Sequence, residues 1–182
     1  MVSDQQAADA RGTQIVTGRA EQPDRSPSAW NRRLVIVALA AVDFALAGHM
    51  ALYQWSVIDT VWDPVFGTEQ SQQVLNSSVS EAFRGVFTIP DAALGAIAYL
   101  AEVVLGLVGS RQRWRRLPWL VVVFALNALA VTLVGLGLVV LQAVVVQAWC
   151  LLCLITAALS LLMLLLALPE ARASIAVLRR GR

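Results

Sequence analysis

Four long apolar runs divide this chain, and the polar positions between them decide how it is threaded. Leu34 to Val57, Ile89 to Gly109, Leu117 to Leu141 and Gln147 to Leu168 are the runs. Each comes close to the roughly 20 apolar residues that a helix needs to cross a hydrocarbon layer about 30 Å thick. The last two merge into one stretch, interrupted only at Gln142 and Gln147, which is too long for a single crossing and suits two helices joined by a tight turn. The pattern predicts an all-α membrane protein: a four-transmembrane-helix bundle with short connections.

The polar segments complete the organisation. Residues 1–30 are rich in Gln, Asp, Ala and Arg and carry Pro23 and Pro27, the composition of a disordered tail. The membrane domain then occupies residues 31–169. Within it, residues 58–87 form the one sizeable loop, holding Asp59, Asp63, Glu69 and Glu81 and a short helical stretch around Ser71 to Phe83. Pro90 and Asp91 open the second span and Pro118 the third, because proline is tolerated in a first helical turn and an acidic group favours the positive dipole end. Residues 170–182 close the chain as a basic tail. Arg32, Arg33 and the following apolar run with Ala45-Leu46-Ala47 imitate a cleavable signal peptide. Apolar sequence continues past that site, however, and Asp43 would interrupt a signal core.

Composition agrees with the pattern and adds direction. Of 182 residues 58% are hydrophobic and 14% charged, too apolar for a soluble domain of this size. Every basic residue is an arginine. Four spans with both ends on one side place all of the arginines on that side except Arg84, which lies in the loop. The positive-inside rule then makes both termini cytoplasmic. The expected setting is a bacterial inner membrane with the loop and the start of span four at the periplasmic or outer face. The partner implied by this composition is the lipid bilayer, and the net charge of +2 gives no reason to expect nucleic acid.

At that outer face lie the only two cysteines, in Trp149-Cys150-Leu151-Leu152-Cys153. A spacing of three puts both thiols on one side of a helix. The pair can form a disulfide, exchange it with another thiol, hold a soft metal ion, or simply pack as two small apolar residues. The outer compartment permits disulfides, and the positive end of the helix dipole favours a thiolate. On position alone, Cys150 is expected nearer water and Cys153 about 4.5 Å deeper along the axis. No His follows Cys153, so covalent haem attachment is not indicated, and two thiolates alone make an incomplete zinc site, so no metal is assigned.

Ionisable residues inside spans are functional candidates by default. His49 lies about 12 Å from the outer end of span one, a depth like that of Cys153, where it could accept a proton or hydrogen-bond a quinone oxygen, or equally bond a neighbouring helix carbonyl. Asp43 and Glu102 lie in the cytoplasmic halves of their spans and are expected to pair with arginines or polar groups, or to reach towards the interface. Asn127 reads as interhelical glue.

Taken together, these residues resemble the vitamin K epoxide reductase family. The resemblance rests on four spans, a long outer loop before span two, Val74-Leu75-Asn76-Ser77, Ile89-Pro90-Asp91-Ala92-Ala93-Leu94-Gly95 with Tyr99, and Trp149-Cys150-Leu151-Leu152-Cys153-Leu154. It covers roughly Leu34 to Leu168. It implies an oxidoreductase that moves electrons between protein thiols and a quinone, ubiquinone or menaquinone. It also implies a thioredoxin-like thiol protein outside the cytoplasm as partner. By the same resemblance Cys153 is the thiol beside the quinone, Cys150 its exchange partner, Ser77 a loop serine near the site, and Asp91 stands where an asparagine contacts the quinone in vertebrate members. Two further loop cysteines that relay electrons in other members are matched by Asp63 and Ser71, and a tyrosine one turn after the CxxC by Ala157. Loss of the loop pair motivates another reading, a catalytically reduced relative serving as a membrane binding or assembly subunit. A third is a thiolate copper site completed by His49 or a second protomer.

Overall fold

The computed structural model describes residues 28–180. Apart from Ser28 to Trp30, the tail expected over residues 1–30, with Arg11, Arg19 and Arg25, lies outside the described residues, as does Arg182.

The described chain is all-helical, with no strand among the described residues. Helix α1 is Trp30–Gln54, α2 Thr68–Leu75, α3 Ser78–Phe87, α4 Asp91–Leu107, α5 Arg113–Arg116, α6 Pro118–Leu141 and α7 Leu151–Arg180. A π-helical turn, Gln142–Val146, extends α6. Three helices are long and apolar enough to cross a membrane, and a fourth span arises if α3 and α4, bent by 64°, are taken as one broken crossing. The outside is correspondingly apolar: Leu126, Val140 and Leu165 expose 59%, 59% and 55% of their surface. Such a covering suits lipid contact, as expected of an integral membrane protein that crosses several times.

Small residues let the central helices approach. Ala40, Ala47 and Ala51 of α1 and Ala92, Ala93 and Ala96 of α4 are all buried in one core, the pairing that membrane helices use when hydrophobicity cannot drive them together. Gly106 marks the closest approach: a Cβ there would stand 2.6 Å from Val37 Cγ2.

The breaks between elements have local causes. The single loop helix expected around Ser71 to Phe83 is two helices, because Asn76 and Ser77 interrupt it and Ser77 Oγ caps α3 by accepting from Ser80 N–H at 3.5 Å. Thr88 turns left-handed (φ 63°), and Pro90, which cannot continue a hydrogen-bonded helix, sets the start of α4. With 17 residues α4 is about 26 Å long, short for a full crossing. The turn expected between the last two spans is the π-helical turn followed by Gln147 in the left-handed region (φ 55°) and an extended link to α7.

The last helix departs furthest from expectation. It does not stop at Leu168 but runs through Pro169 to Arg180, so the basic tail expected from residue 170 is helical to that point. Good helix formers after the proline favour this, and so does a polar clamp. Glu170, 3% exposed, receives Arg113 in a two-pronged ion pair, Nε to Oε1 at 2.6 Å and Nη2 to Oε2 at 2.8 Å, and Ser28 Oγ donates to Oε1 as well. Arg113 Nη1 also donates to Leu105 O at 2.8 Å. Arg33 completes the clamp from α1, donating through Nη2 to Gly106 O at 2.7 Å and Val108 O at 3.0 Å and through Nη1 to Gly109 O at 2.8 Å. Both guanidinium groups thus cap the carbonyl end of α4, where a cation is favoured. Removing one partner of a buried pair leaves the other charged and unsatisfied, so Glu170→Ala should cost about 3–5 kcal/mol. Reversible denaturation in detergent would measure it, and a loss under about 1 kcal/mol would show the clamp to be peripheral.

Candidate functional site

The two cysteines sit where the loop folds back over the start of α7. Cys150 precedes the helix and caps it: its carbonyl accepts from Leu154 N–H at 3.1 Å and its Sγ accepts from Cys153 N–H at 3.3 Å. The first amide of the helix, Leu151 N–H, donates at 2.9 Å to Asp63 Oδ2 in the loop. That same oxygen takes a hydrogen bond from Ser71 Oγ at 2.6 Å, while Asp63 Oδ1 accepts from Val65 and Phe66 N–H at 3.0 and 2.9 Å. Asp63 and Ser71 are the two loop residues expected, from the resemblance, to stand in place of a cysteine pair. Here the two face each other through a hydrogen bond and tie the loop to the CxxC helix. Burial alone would raise the Asp63 carboxyl, but the bonds from Ser71, Leu151, Phe66 and Val65 outweigh it and hold the group below the ordinary carboxylate range.

The clamp covers Cys150 completely. Its exposure is 0%, against the expectation that it would be the thiol nearer water. Trp149 closes the rim by stacking on Phe66, with centroids 6.3 Å apart, and by donating its N–H to Gln70 Oε1 at 3.2 Å. Gln142, buried in the π-helical turn, accepts from Cys150 N–H at 3.3 Å. The Cys150 thiol is held below its ordinary value, first by the Cys153 side chain and then by the Cys153 amide and Ser71, against burial and the negative charge of Asp63. Both thiols are free, and each lies beside Met50 of α1, at 3.6 Å from Sδ for Cys153 Sγ and 4.0 Å for Cys150 Sγ.

Cys153 is the thiol that borders open space. It forms part of the wall of a cavity of about 260 Å³ between α1, α4, α6 and α7, lined mainly by apolar side chains and by Met50, Asp91, Tyr99, Asn127 and Thr156. Asp91 stands at the loop end of this wall, fixed by Gln54 Nε2 at 2.6 Å and Ser80 Oγ at 2.7 Å. Gln54 Nε2 also donates to Leu75 O at 3.1 Å, and Gln54 Oε1 accepts from Ala92 N–H at 3.3 Å, so one side chain joins α1, the loop helices and α4. Ser77 does not reach the main cavity. It borders a smaller adjoining hollow of about 30 Å³ with Asp91, Gln142 and Cys153.

A model described as the vitamin K epoxide reductase family matches residues 34–168, well over half of the chain. The chain belongs to that family. No curated protein matches it. Members of the vitamin K epoxide reductase family are in general membrane oxidoreductases that use a quinone as electron partner.

Of the residues singled out from sequence, the structure brings Cys150, Cys153 and Asp91 together and puts Ser77 at the margin. His49 is not among them: its Nε2 accepts from Trp62 N–H at 3.4 Å, and it does not line the cavity. The ring serves the loop backbone. Asp43 and Glu102 do not pair with arginines. Each is 0% exposed, and neither Asp43 oxygen nor Glu102 Oε2 has a hydrogen-bond partner among the described residues. Asn127 is interhelical glue, as expected, donating from α6 to Ala98 O and Glu102 Oε1 of α4. Met50, Gln54, Gln142 and Asp63 were missed as site residues. The two glutamines that break otherwise apolar runs were the available signal, whereas nothing distinguishes Met50 in sequence.

The loop clamp leads to a direct test. A hydrogen bond to a charged group contributes about 1.5–3 kcal/mol, so Asp63→Asn should speed alkylation of Cys150 by roughly tenfold to a hundredfold. The carboxyl titrates lower in the folded protein than its unfolded value of about 3.9. Its stabilisation is therefore complete above that value and is lost only as pH falls through the lower, folded one. Mass spectrometry of timed alkylation, corrected for thiolate fraction, would show unchanged rates if the clamp were unimportant.

Proposed function

We propose that this protein is a membrane thiol–disulfide oxidoreductase that takes electrons from a partner protein's dithiol through Cys150 and delivers them at Cys153 to a quinone. The observation that carries this reading is the different surroundings of two adjacent thiols. Cys153 lines a largely apolar cavity within the bundle, whereas Cys150 lies under the loop at the start of the same helix. The family match supports the chemistry.

The cavity fits a quinone head. Its volume of about 260 Å³ is near the lower end of the roughly 300–1,000 Å³ usual for small-molecule sites, so a flat ring can enter while a long tail lies among lipid-facing helices. Asp91, Tyr99 and Asn127 provide the few polar groups that orient such a ring in an otherwise apolar wall. When bound there, a quinone supplies an acceptor for two electrons and two protons.

The protein's own steps follow from position. The loop must first lift, since Cys150 is buried. A partner thiolate then attacks Cys150 Sγ in the oxidised pair, forming one mixed S–S bond and releasing Cys153 as the leaving thiolate. The helix start, whose Cys153 N–H points at Cys150 Sγ, favours a thiolate at Cys150. The partner's second thiolate resolves the mixed disulfide and leaves the pair reduced. As electrons depart at the Cys153 side, the Cys150–Cys153 bond re-forms.

We further infer the orientation: both termini cytoplasmic, in a bacterial inner membrane, with the loop and CxxC outside and a thioredoxin-like thiol protein as partner. The arginines at the clamp end and in the connection before α6 support it. Because Asp63 and Ser71 replace a loop cysteine pair, the partner meets Cys150 directly. Burial of Cys150 also supports a second reading, a non-catalytic assembly subunit.

The two separate experimentally. Cys153→Ala should accumulate a mixed disulfide through Cys150, visible on non-reducing gels of intact membranes and abolished by adding Cys150→Ser. If Cys150→Ser with Cys153→Ser leaves secreted-protein disulfide formation unchanged and no adduct is trapped, the assembly reading holds.

A further inference from the structure

Halfway through the bundle, two acids sit where a membrane protein has least reason to put them. Asp43 of α1 lies about 17 Å from the loop end of that helix and about 20 Å from its other end. Glu102 lies on the facing helix α4, whose approaches to α1, Gly106 against Val37 and Gly95 against Ala47, bracket both acids, and both are 0% exposed. Asp43 has no hydrogen-bond partner at either oxygen, and Glu102 has none at Oε2. Both buried arginines are engaged elsewhere, Arg33 on the carbonyls ending α4 and Arg113 on those carbonyls and Glu170. Leaving two carboxylates in such surroundings costs several kcal/mol per ion. An acidic pair without a cation is retained in a membrane where it carries protons or ions.

The pair is linked to the cavity rather than isolated. Asn127 lines the cavity and donates to Glu102 Oε1 at 3.3 Å. Tyr99, one helical turn before Glu102, lines it too and shares a 2.8 Å hydrogen bond with Ser160 Oγ. The groups bonded into this layer from α6 and α7 are neutral: Asn127, Thr132 and Ser160.

We propose that Asp43 and Glu102 form a proton-holding site that serves the ligand bound beside Cys153, with Asn127 positioning Glu102 at the cavity wall and Tyr99 supplying that wall's exchangeable O–H. This rests on the quinone reading above. Oxidation of the Cys150–Cys153 dithiol closes one S–S bond and releases two electrons and two protons, and reduction of a quinone to a quinol takes up the same number of each. The carboxyl pair lends one proton to a ligand oxygen at the cavity wall. Of the two protons released from the thiols, one refills the pair and the other balances the second proton taken up by the ligand, so no net charge is left in the membrane.

The test is infrared difference spectroscopy of the full chain in lipid nanodiscs, comparing the dithiol and disulfide forms, the latter made with a short-tailed quinone analogue or, separately, with oxidised dithiothreitol. Expected is a protonated-carboxyl C=O band that changes between the two forms, shifts in D2O, and disappears in both Asp43→Asn and Glu102→Gln. In both variants quinone turnover should fall about a hundredfold, the lower range for a lost proton donor, with thiol exchange by dithiothreitol unchanged. Asn127→Leu should keep the band but remove its response to the analogue. Absence of the band, its survival in both variants, or wild-type turnover in both would overturn the proposal. If the wild type reduces no quinone yet the band responds to oxidised dithiothreitol, the quinone reading fails while the acid pair stands as a proton site. A band that responds to sodium ions in place of D2O would also overturn it, in favour of a cation site.

Discussion

The hydrogen bonds of the Asp63 carboxylate hold the site together. One oxygen receives Leu151 N–H and Ser71 Oγ and the other two loop amides, so a single side chain satisfies the exposed start of α7, closes the loop on itself and covers Cys150. Cys150 caps the same helix with its sulfur, and the CxxC is thereby fixed with one thiol under the loop and one in the cavity wall. Where other family members are read as having a loop cysteine pair, this chain has a pair that can hold the loop but cannot carry electrons. Under the function proposed above, an exchange partner reaches Cys150 itself, and the loop is the barrier to be moved.

The same demand for internal satisfaction orders the rest of the bundle. Hydrocarbon offers no hydrogen bonds, so polar groups gather into layers. At one end Gln54 joins Leu75, Ser80, Asp91 and Ala92 across three elements. At the other, Arg33, Arg113, Glu170 and Ser28 close the carbonyl end of α4 and draw α7 past Pro169. Between these layers stand Asp43 and Glu102, the one place among the described residues where buried carboxylate oxygens lack partners. That contrast gives the pair its interest: the buried charged groups at both ends are bonded, and these two carboxyls are left open near a ligand-sized cavity.

Much of the architecture was legible because hydropathy speaks directly about spans. The four runs, the proline starts at Asp91 and Pro118, and the family resemblance all follow from residue order. Helix ends were less legible. Pro169 and the arginines after it resemble a stop, yet Glu170 finds Arg113, which is far away in sequence. Arg33 and Arg113 also count as orientation signals in sequence but are buried caps in the structure, 1% exposed each. Within the site, chemistry-bearing types were visible and their surroundings were not. Depth along the helix axis puts Cys150 near water, but the loop folds back over it through Asp63, a contact distant in sequence. Depth also puts His49 level with Cys153 without fixing which way the ring faces, and the ring serves Trp62. Met50, an ordinary apolar residue in sequence, proves to be the neighbour of both sulfurs.

The central claim is that Cys150 and Cys153 work as one pair with access to a membrane quinone. Counting thiols in the purified, reduced protein before and after adding ubiquinone or menaquinone analogues without any partner protein tests it most directly. The account predicts loss of both thiols together and formation of one intramolecular disulfide. Both thiols remaining reduced with either analogue, in protein that stays folded, would contradict it.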